Sequence, residues 1–280
     1  ETDGPELHFR QVRPLDRLGY ERSTHARAQR MTRLGKLFMY SETNAFADML
    51  APLGYDRSLI ALVEISDVSR PLVHRSGPQD EFEVAMLGTV RREKGYGHLA
   101  QIARAYQGIA DRLGGPRLKI LIQTGAVKNR KLYRAMLKEL EHAGVNFALV
   151  EEGAGLAGHW RCIERCHAVI MPYDRWRYTD RGSAVGMDAI AAARPLVVAG
   201  DCTLEEYIRN RNGLAAVGNQ KMAESLHTVA SNYTEFAGNA LQLAQKFRKQ
   251  HTQNLLFRRL NSSGAGNPGT ANATMADSAA

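Results

Sequence analysis

Between residues 81 and 199 the chain alternates short apolar runs with longer stretches of helical periodicity, and this alternation constrains the fold more than any other feature. Residues 84–87, 118–123, 145–150, 168–171 and 195–199 are strand-length and largely apolar; residues 97–113, 128–143, 159–166 and 184–193 read as the helices between them. Strands separated by helices make βαβ units, which give a parallel sheet with helices over both faces. The expected class is α/β, a Rossmann-like parallel sheet. Ligands in such sheets bind beyond the carboxyl ends of the strands, so the loops after residues 87, 150 and 171 carry the functional reading. Further helices are expected at 204–210, 221–231 and 234–260.

The region before this core is organised differently. A helix is expected from Glu21, with Arg22, Arg27, Arg30, Arg33 and Lys36 spread around Ala26, Met31 and Leu34. It reads as a solvated helix, the alternative being peripheral contact with an anionic membrane surface. Residues 37–39 form a short strand, 42–53 a helix ended by Gly54, and 58–63 a second strand; a linker follows at 66–80 with Pro71, Gly77 and Pro78. The expected division is a partial second α/β domain with its linker at 1–78, the main domain at 79–261 and a disordered Ser, Gly, Asn and Ala tail at 262–280. The chain begins with Glu1 and reads as a processed product or a fragment.

The formal charge of +8 points to anionic partners, yet no nucleic-acid module signature is present and no apolar run reaches the length of a membrane span. Three cysteines without a framework spacing fit a reducing cytoplasm, with the inner face of the membrane as the alternative location. Cys162 and Cys166 fall four apart near His159 and His167. One such cluster makes buried thiols the better reading than a metal site, so no metal is assigned.

Three loops carry chemistry. After residue 171 a polar stretch, 174–182, leads to Ser183, a residue type that caps helices, and then to a small-residue helix whose free amides suit a phosphate. Gly186 lies inside that helix at a cost of about 1 kcal/mol relative to Ala, so a ligand or a packed strand should approach it closely. Asp180 and Asp188 flank the helix start eight positions apart. After the first strand comes GTVRREKGYGHL, where Lys94, with Arg91 or Arg92, offers fixed cations to a leaving diphosphate. Gly95, Gly97 and Ala100 match the dinucleotide fingerprint loosely, and Gly153, Gly155 and Gly158 match it better, with Asp174 as the ribose acid. Against NAD stand Glu151 and Glu152, which would repel a pyrophosphate.

The run from Asp180 through AIAAARPLVV resembles the signature of the retaining GT-B glycosyltransferases often called group 1 or GT4, an acidic residue, seven others, then a Glu-Ala within EAMAAGKPVV. Here both acids are Asp, and Arg194 is read as replacing the usual Gly before the Lys or Pro. Gly88, Glu93, Lys94 and Gly95 resemble the family's diphosphate loop with one gap, Thr89 standing at its Arg position. KLFMYSETNAFADMLAPLGYDRSLIALVEI resembles the end of a GT-B N-terminal domain, whose earlier part is expected to precede it. The Tyr178, Arg181, Ser183 spacing resembles a branch acting on bacterial surface polysaccharides. Glu205, Glu206, Asn212 and Gly213 resemble a further family region, though they also read as a plain helix start and turn.

The resemblance implies sugar transfer from a nucleoside diphosphate sugar to a glycan or lipid-linked acceptor, with retention and with neither a metal nor a resident cofactor. Lys94 and Arg91 would stabilise the leaving group and Asp180 would orient the sugar, these being the catalytic assignments. Gly88, Arg92, Arg181, Ser183 and Ala184 would contact the donor, Asp188 the ribose, and Gly153 and Gly155 the base. The family's catalytic His in the N-terminal domain has no assigned position here. The alternatives are a non-catalytic nucleotide-sugar-binding subunit and an NAD-binding protein.

Overall fold

In the computed structural model, residues 19–37, 39–41, 43–62, 66, 68–123, 130–150 and 155–252 are described. The core is a parallel sheet of six strands, β3 (Glu81–Met86), β4 (Arg117–Gln123), β5 (Phe147–Val150), β6 (Ala168–Met171), β7 (Leu196–Ala199) and β8 (Gly213–Ala216), in the spatial order β5-β4-β3-β6-β7-β8. Every residue of β6 and β7 is buried, as expected for central parallel strands covered on both faces. The edge strand β5 leaves Leu149 exposed.

Crossover helices join the strands: α3 (Leu99–Leu113), α4 (Arg130–His142), α5 (Gly155–Arg165) and α6 (Ala184–Ala191), followed by α7 (Asn219–Ser231) and α8 (Tyr233–Thr252). α3 packs on α4 and α7, and α6 packs on α8. The buried stripe of α3, Leu99, Ile102, Ala103, Tyr106, Ile109 and Ala110, follows the three-and-four spacing of a helix with one inward face.

The smaller unit comprises α1 (Gly19–Arg33), β1 (Met39–Ser41), α2 (Asn44–Leu50) and β2 (Ile60–Leu62), with β1 and β2 paired in parallel. Its core is Ala28, Ala47, Leu50, Tyr55 and Ile60. The α1 helix is anchored rather than free, since His25 Nδ1 lies 2.7 Å from the Tyr55 hydroxyl. Among the described residues no helix is long and apolar enough to cross a membrane.

The alternation predicts five strands for this sheet, and the described residues form six. β8 was missed because Gly-Leu-Ala-Ala has little strand propensity; Gly213 is needed there because a Cβ would collide with the carbonyl of Leu196 on β7. The helix expected at 204–210 is a 3-10 segment, Thr203–Ile208, and α5 begins at Gly155 rather than at residue 159. The tail expected at 262–280 lies outside the described residues.

Candidate functional site

β3 and β6 are neighbours, but the chain leaves β3 for β4 on one side and β6 for β7 on the other. Such a reversal of strand order opens a crevice above the carboxyl ends. The loop after β3 and the start of α6 meet there.

Gly88 has φ of 88°, a conformation side chains rarely adopt, and a Cβ on it would collide with Nζ of Lys94. Its N–H donates to Gln123 Oε1 at 2.9 Å and its carbonyl accepts from the Tyr96 hydroxyl at 2.6 Å, so the loop is held from two sides. Lys94 ends a 3-10 turn, Arg92–Lys94, and is 6% exposed. Among the described residues its ammonium makes one long hydrogen bond, 3.4 Å to the carbonyl of Leu87, and no ion pair. The Tyr173 ring centroid lies 5.4 Å away. Burial, and after it the charge of Arg91, push the Lys94 pKa down to about 8, with Glu93 opposing. At neutral pH the group is still mostly a cation.

α6 forms from small residues after the extended Ser183 (φ −139°) and ends before Ala193, which is left-handed at φ 57°. Ser183 takes the N-cap position, but its side chain makes no capping hydrogen bond, contrary to the sequence expectation. The backbone N–H of Ser183 donates to the Tyr207 hydroxyl at 2.7 Å. The amides of Ala184 and Val185 have no acceptor among the described residues. The Val185 side chain lies 3.7 Å from the point a Cβ on Gly88 would occupy, the point that also abuts the Lys94 ammonium. Gly186 does have a close neighbour: a Cβ there would lie 2.7 Å from the Tyr207 ring. The contact is an aromatic ring and not the strand or ligand expected.

Asp188, in the second turn of α6, accepts from Ser66 Oγ at 2.8 Å through one oxygen and lies 2.8 Å from His159 Nε2 through the other. Asp180 sits in the loop before α6, where its carbonyl accepts from Thr43 Oγ1 at 3.3 Å; its carboxylate has no partner among the described residues. Arg181 follows it, half-buried. Arg91 is exposed and pairs with Glu93 at 3.3 Å. Arg92 lines a cavity of about 390 Å³ with His98, Tyr173, Arg175 and Trp176. Gly155 opens α5 instead of lying in a loop, and Gly153 lies outside the described residues. The strand before them, β5, is at the sheet edge, away from the crevice between β3 and β6.

Two long-range contacts carry no signal that the sequence reading uses. His159 was read only beside the thiols, yet it joins Asp188 to Gln123; the available signal was a polar residue adjoining the buried Trp160, Cys162 and Ile163 of α5. Glu206 accepts from the backbone N–H groups of Asn44 at 3.1 Å and Ala45 at 3.3 Å, capping α2 from the other unit. Cys162 and Cys166 are buried, and burial pushes the Cys166 thiol up to about 11 and Cys162 higher, which suits inert packing thiols.

Arg194 departs from its expected reading. The left-handed residue is Ala193, so the glycine-requiring position is one earlier and Arg194 takes the basic position of the signature. Its guanidinium is 2% exposed and donates to the carbonyls of Ile163 at 2.8 Å, Val73 at 3.0 Å and Glu164 at 3.0 Å.

No family model and no curated protein sequence matches the chain. Solved structures do. A mutant of TarM from S. aureus, solved with fondaparinux, alpha-GlcNAc-glycerol and UDP, is similar over 86% of this chain and 45% of its own, with 16% identity and a TM-score of 0.58. AviGT4, a glycosyltransferase of avilamycin A biosynthesis, is similar over 80% and 63%, with 16% identity and a TM-score of 0.54. WaaG, a glycosyltransferase of lipopolysaccharide biosynthesis, gives 83% and 64%, 12% identity and 0.52. The chain thus spans about half to two thirds of the length of these structures. It has the GT-B glycosyltransferase fold, with the sheet of six parallel strands as its Rossmann-like part.

Proposed function

We propose that the chain carries the donor-binding part of a glycosyltransferase that takes its sugar from a nucleoside diphosphate sugar. The observation that carries this reading is the Lys94 ammonium, buried, without a carboxylate partner among the described residues, and set against Gly88 and the Val185 side chain in the first turn of α6. Burying a cation without a partner is costly, and a cation at a helix N-terminus is opposed by the dipole. An anion entering the crevice removes both penalties. A diphosphate there would leave with the electron pair of the broken sugar C1–O bond and be stabilised by groups already in place.

In this reading Lys94, Arg91 and the α6 amides take the role a divalent ion has elsewhere. Asp188 faces the ribose, Asp180 the sugar, and the transfer proceeds with retention to a glycan or lipid-linked acceptor. The donor is a substrate, and no resident cofactor is assigned. The resemblance of the signature and the solved glycosyltransferases of the same fold support this. A non-catalytic nucleotide-sugar binder is the second reading, favoured by the engagement of both Asp188 oxygens within the protein.

Calorimetric titration with UDP, GDP, ADP and NAD tests the site. One nucleoside diphosphate should bind to the parent and bind at least roughly tenfold more weakly to Lys94→Met and Asp188→Ala. Equal binding by the variants, or no binding by the parent, would overturn the assignment. Hydrolysis or transfer of the matching nucleotide sugar then separates the enzyme from the binder.

A further inference from the structure

Four elements meet at His159, which is 8% exposed on α5. Its Nδ1 lies 2.8 Å from Gln123 Oε1 on β4, and its Nε2 lies 2.8 Å from Asp188 Oδ2 on α6. The Gln123 amide cannot be turned over, because the Gly88 N–H needs the same oxygen at 2.9 Å. Asp188 accepts from Ser66 through its other oxygen. Both ring nitrogens therefore face acceptors. A neutral imidazole has one donor and one acceptor nitrogen, so it would set a lone pair against an oxygen; a ring with protons on both nitrogens satisfies every group. The ring also lies edge-on to the Trp160 indole, 6.0 Å between centroids, and the Arg70 guanidinium lies 5.4 Å from that indole's centroid.

We infer that His159 is a positioning residue: donating from both nitrogens, it ties the Gly88 loop that receives the diphosphate to the Asp188 carboxylate that receives the ribose. The consequence for binding rests on the nucleotide-site reading above; the clasp itself does not. An ionised carboxylate accepts about four hydrogen bonds, so Asp188, held by Ser66 and His159, keeps acceptor capacity for hydroxyl groups while its orientation is fixed. Fixing that orientation before the ligand arrives lowers the ordering cost of binding.

The test has two arms. Nitrogen-edited NMR of the parent chain at about pH 7 should show two slowly exchanging imidazole N–H signals from one ring, one per nitrogen, both lost in His159→Gln. A single N–H on that ring, as a neutral imidazole or a protonated Asp188 donating to Nε2 would give, overturns the inference. In the second arm UDP, GDP and ADP are titrated. His159→Leu should weaken the bound nucleotide roughly tenfold. His159→Gln, which keeps one donor toward Asp188, should recover part of that loss. Equal affinity of His159→Leu and the parent overturns the positioning role. If the parent binds none of the three nucleotides, the site reading and the positioning role fall together, and the NMR arm still decides whether the ring makes both hydrogen bonds.

Discussion

Lys94 beside the start of α6 and Arg194 just past its end are both buried cations, 6% and 2% exposed, in opposite surroundings. Arg194 donates to three backbone carbonyls, one from the linker and two from the last turn of α5, a helix end where the dipole favours positive charge. Among the described residues Lys94 has one hydrogen bond, of 3.4 Å, and its ammonium lies near Val185 in the first turn of α6, where the dipole opposes it. Arg194 acts as a structural rivet, its donors consumed by the fold. Lys94 has donors to spare, and the fold bears their cost without using them. Arg194 should therefore be needed for stability and Lys94 for ligand binding.

Arg194→Met should have the largest effect. Three charge-assisted hydrogen bonds are lost and the Ile163, Val73 and Glu164 carbonyls are left without this donor, the first of them in a buried contact, a destabilisation of about 4 kcal/mol. Urea denaturation measures it. A variant as stable as the parent would mean that water or a neighbouring donor replaces the guanidinium, and the contrast between the two cations would fail.

Lys94→Met should move stability the other way. The folded-state pKa of Lys94, about 8, lies below its ordinary value of 10.5. The folded protein thus binds this proton more weakly than the unfolded chain does. The penalty is fully present below pH 8 and fades as pH rises toward 10.5, so parent stability should climb across that window relative to the variant. The difference corresponds to about 3 kcal/mol, and Lys94→Met should be the more stable protein at neutral pH by up to that amount. Denaturation midpoints of both proteins between pH 7 and pH 10.5 check the slope. A flat difference would place a partner on the ammonium. A bound diphosphate would favour the charged form and abolish the climb.

Much of this was legible in the sequence, for reasons that also mark its limits. The sheet could be read because apolar runs such as Val169, Ile170 and Met171 report burial directly, and the place of the Gly88 to Lys94 loop because it directly follows the first of those runs. Pairings between distant segments carry no local pattern. Nothing in the spacing places Glu206 on the first amides of α2, or joins His159 to Asp188 across 29 positions. The strand β8 was hidden for a related reason, as Gly213 is chosen by the approach of Leu196 on the neighbouring strand and not by its own propensity.

Gly186→Ala sharpens the comparison at the α6 start. Alanine is the better helix former by about 1 kcal/mol, so propensity alone predicts a gain. The added Cβ would instead lie 2.7 Å from the Tyr207 ring, whose hydroxyl holds the Ser183 N–H. Overpacking should outweigh propensity and leave a net loss of about 1–2 kcal/mol. Displacing the ring should also disturb the amides offered to the ligand, lowering nucleotide affinity, whereas Arg194→Met in its folded form should leave affinity within about threefold of the parent.

Ser183→Ala is the smallest change and the closest test of which group anchors the α6 start. A capping Ser replaced by Ala usually costs about 1 kcal/mol because one helix amide loses its acceptor. Here the Ser183 side chain accepts from none of them, and the nearest fixed contact is made by the Tyr207 hydroxyl to the backbone. The loss should be under about 0.5 kcal/mol, with Tyr207→Phe, which removes the acceptor of the Ser183 N–H, costing about 1 kcal/mol. Thermal denaturation of the two variants side by side gives the ranking. The reverse order would show the serine capping the helix, and the Ala184 and Val185 amides would then be partly occupied before any phosphate arrives.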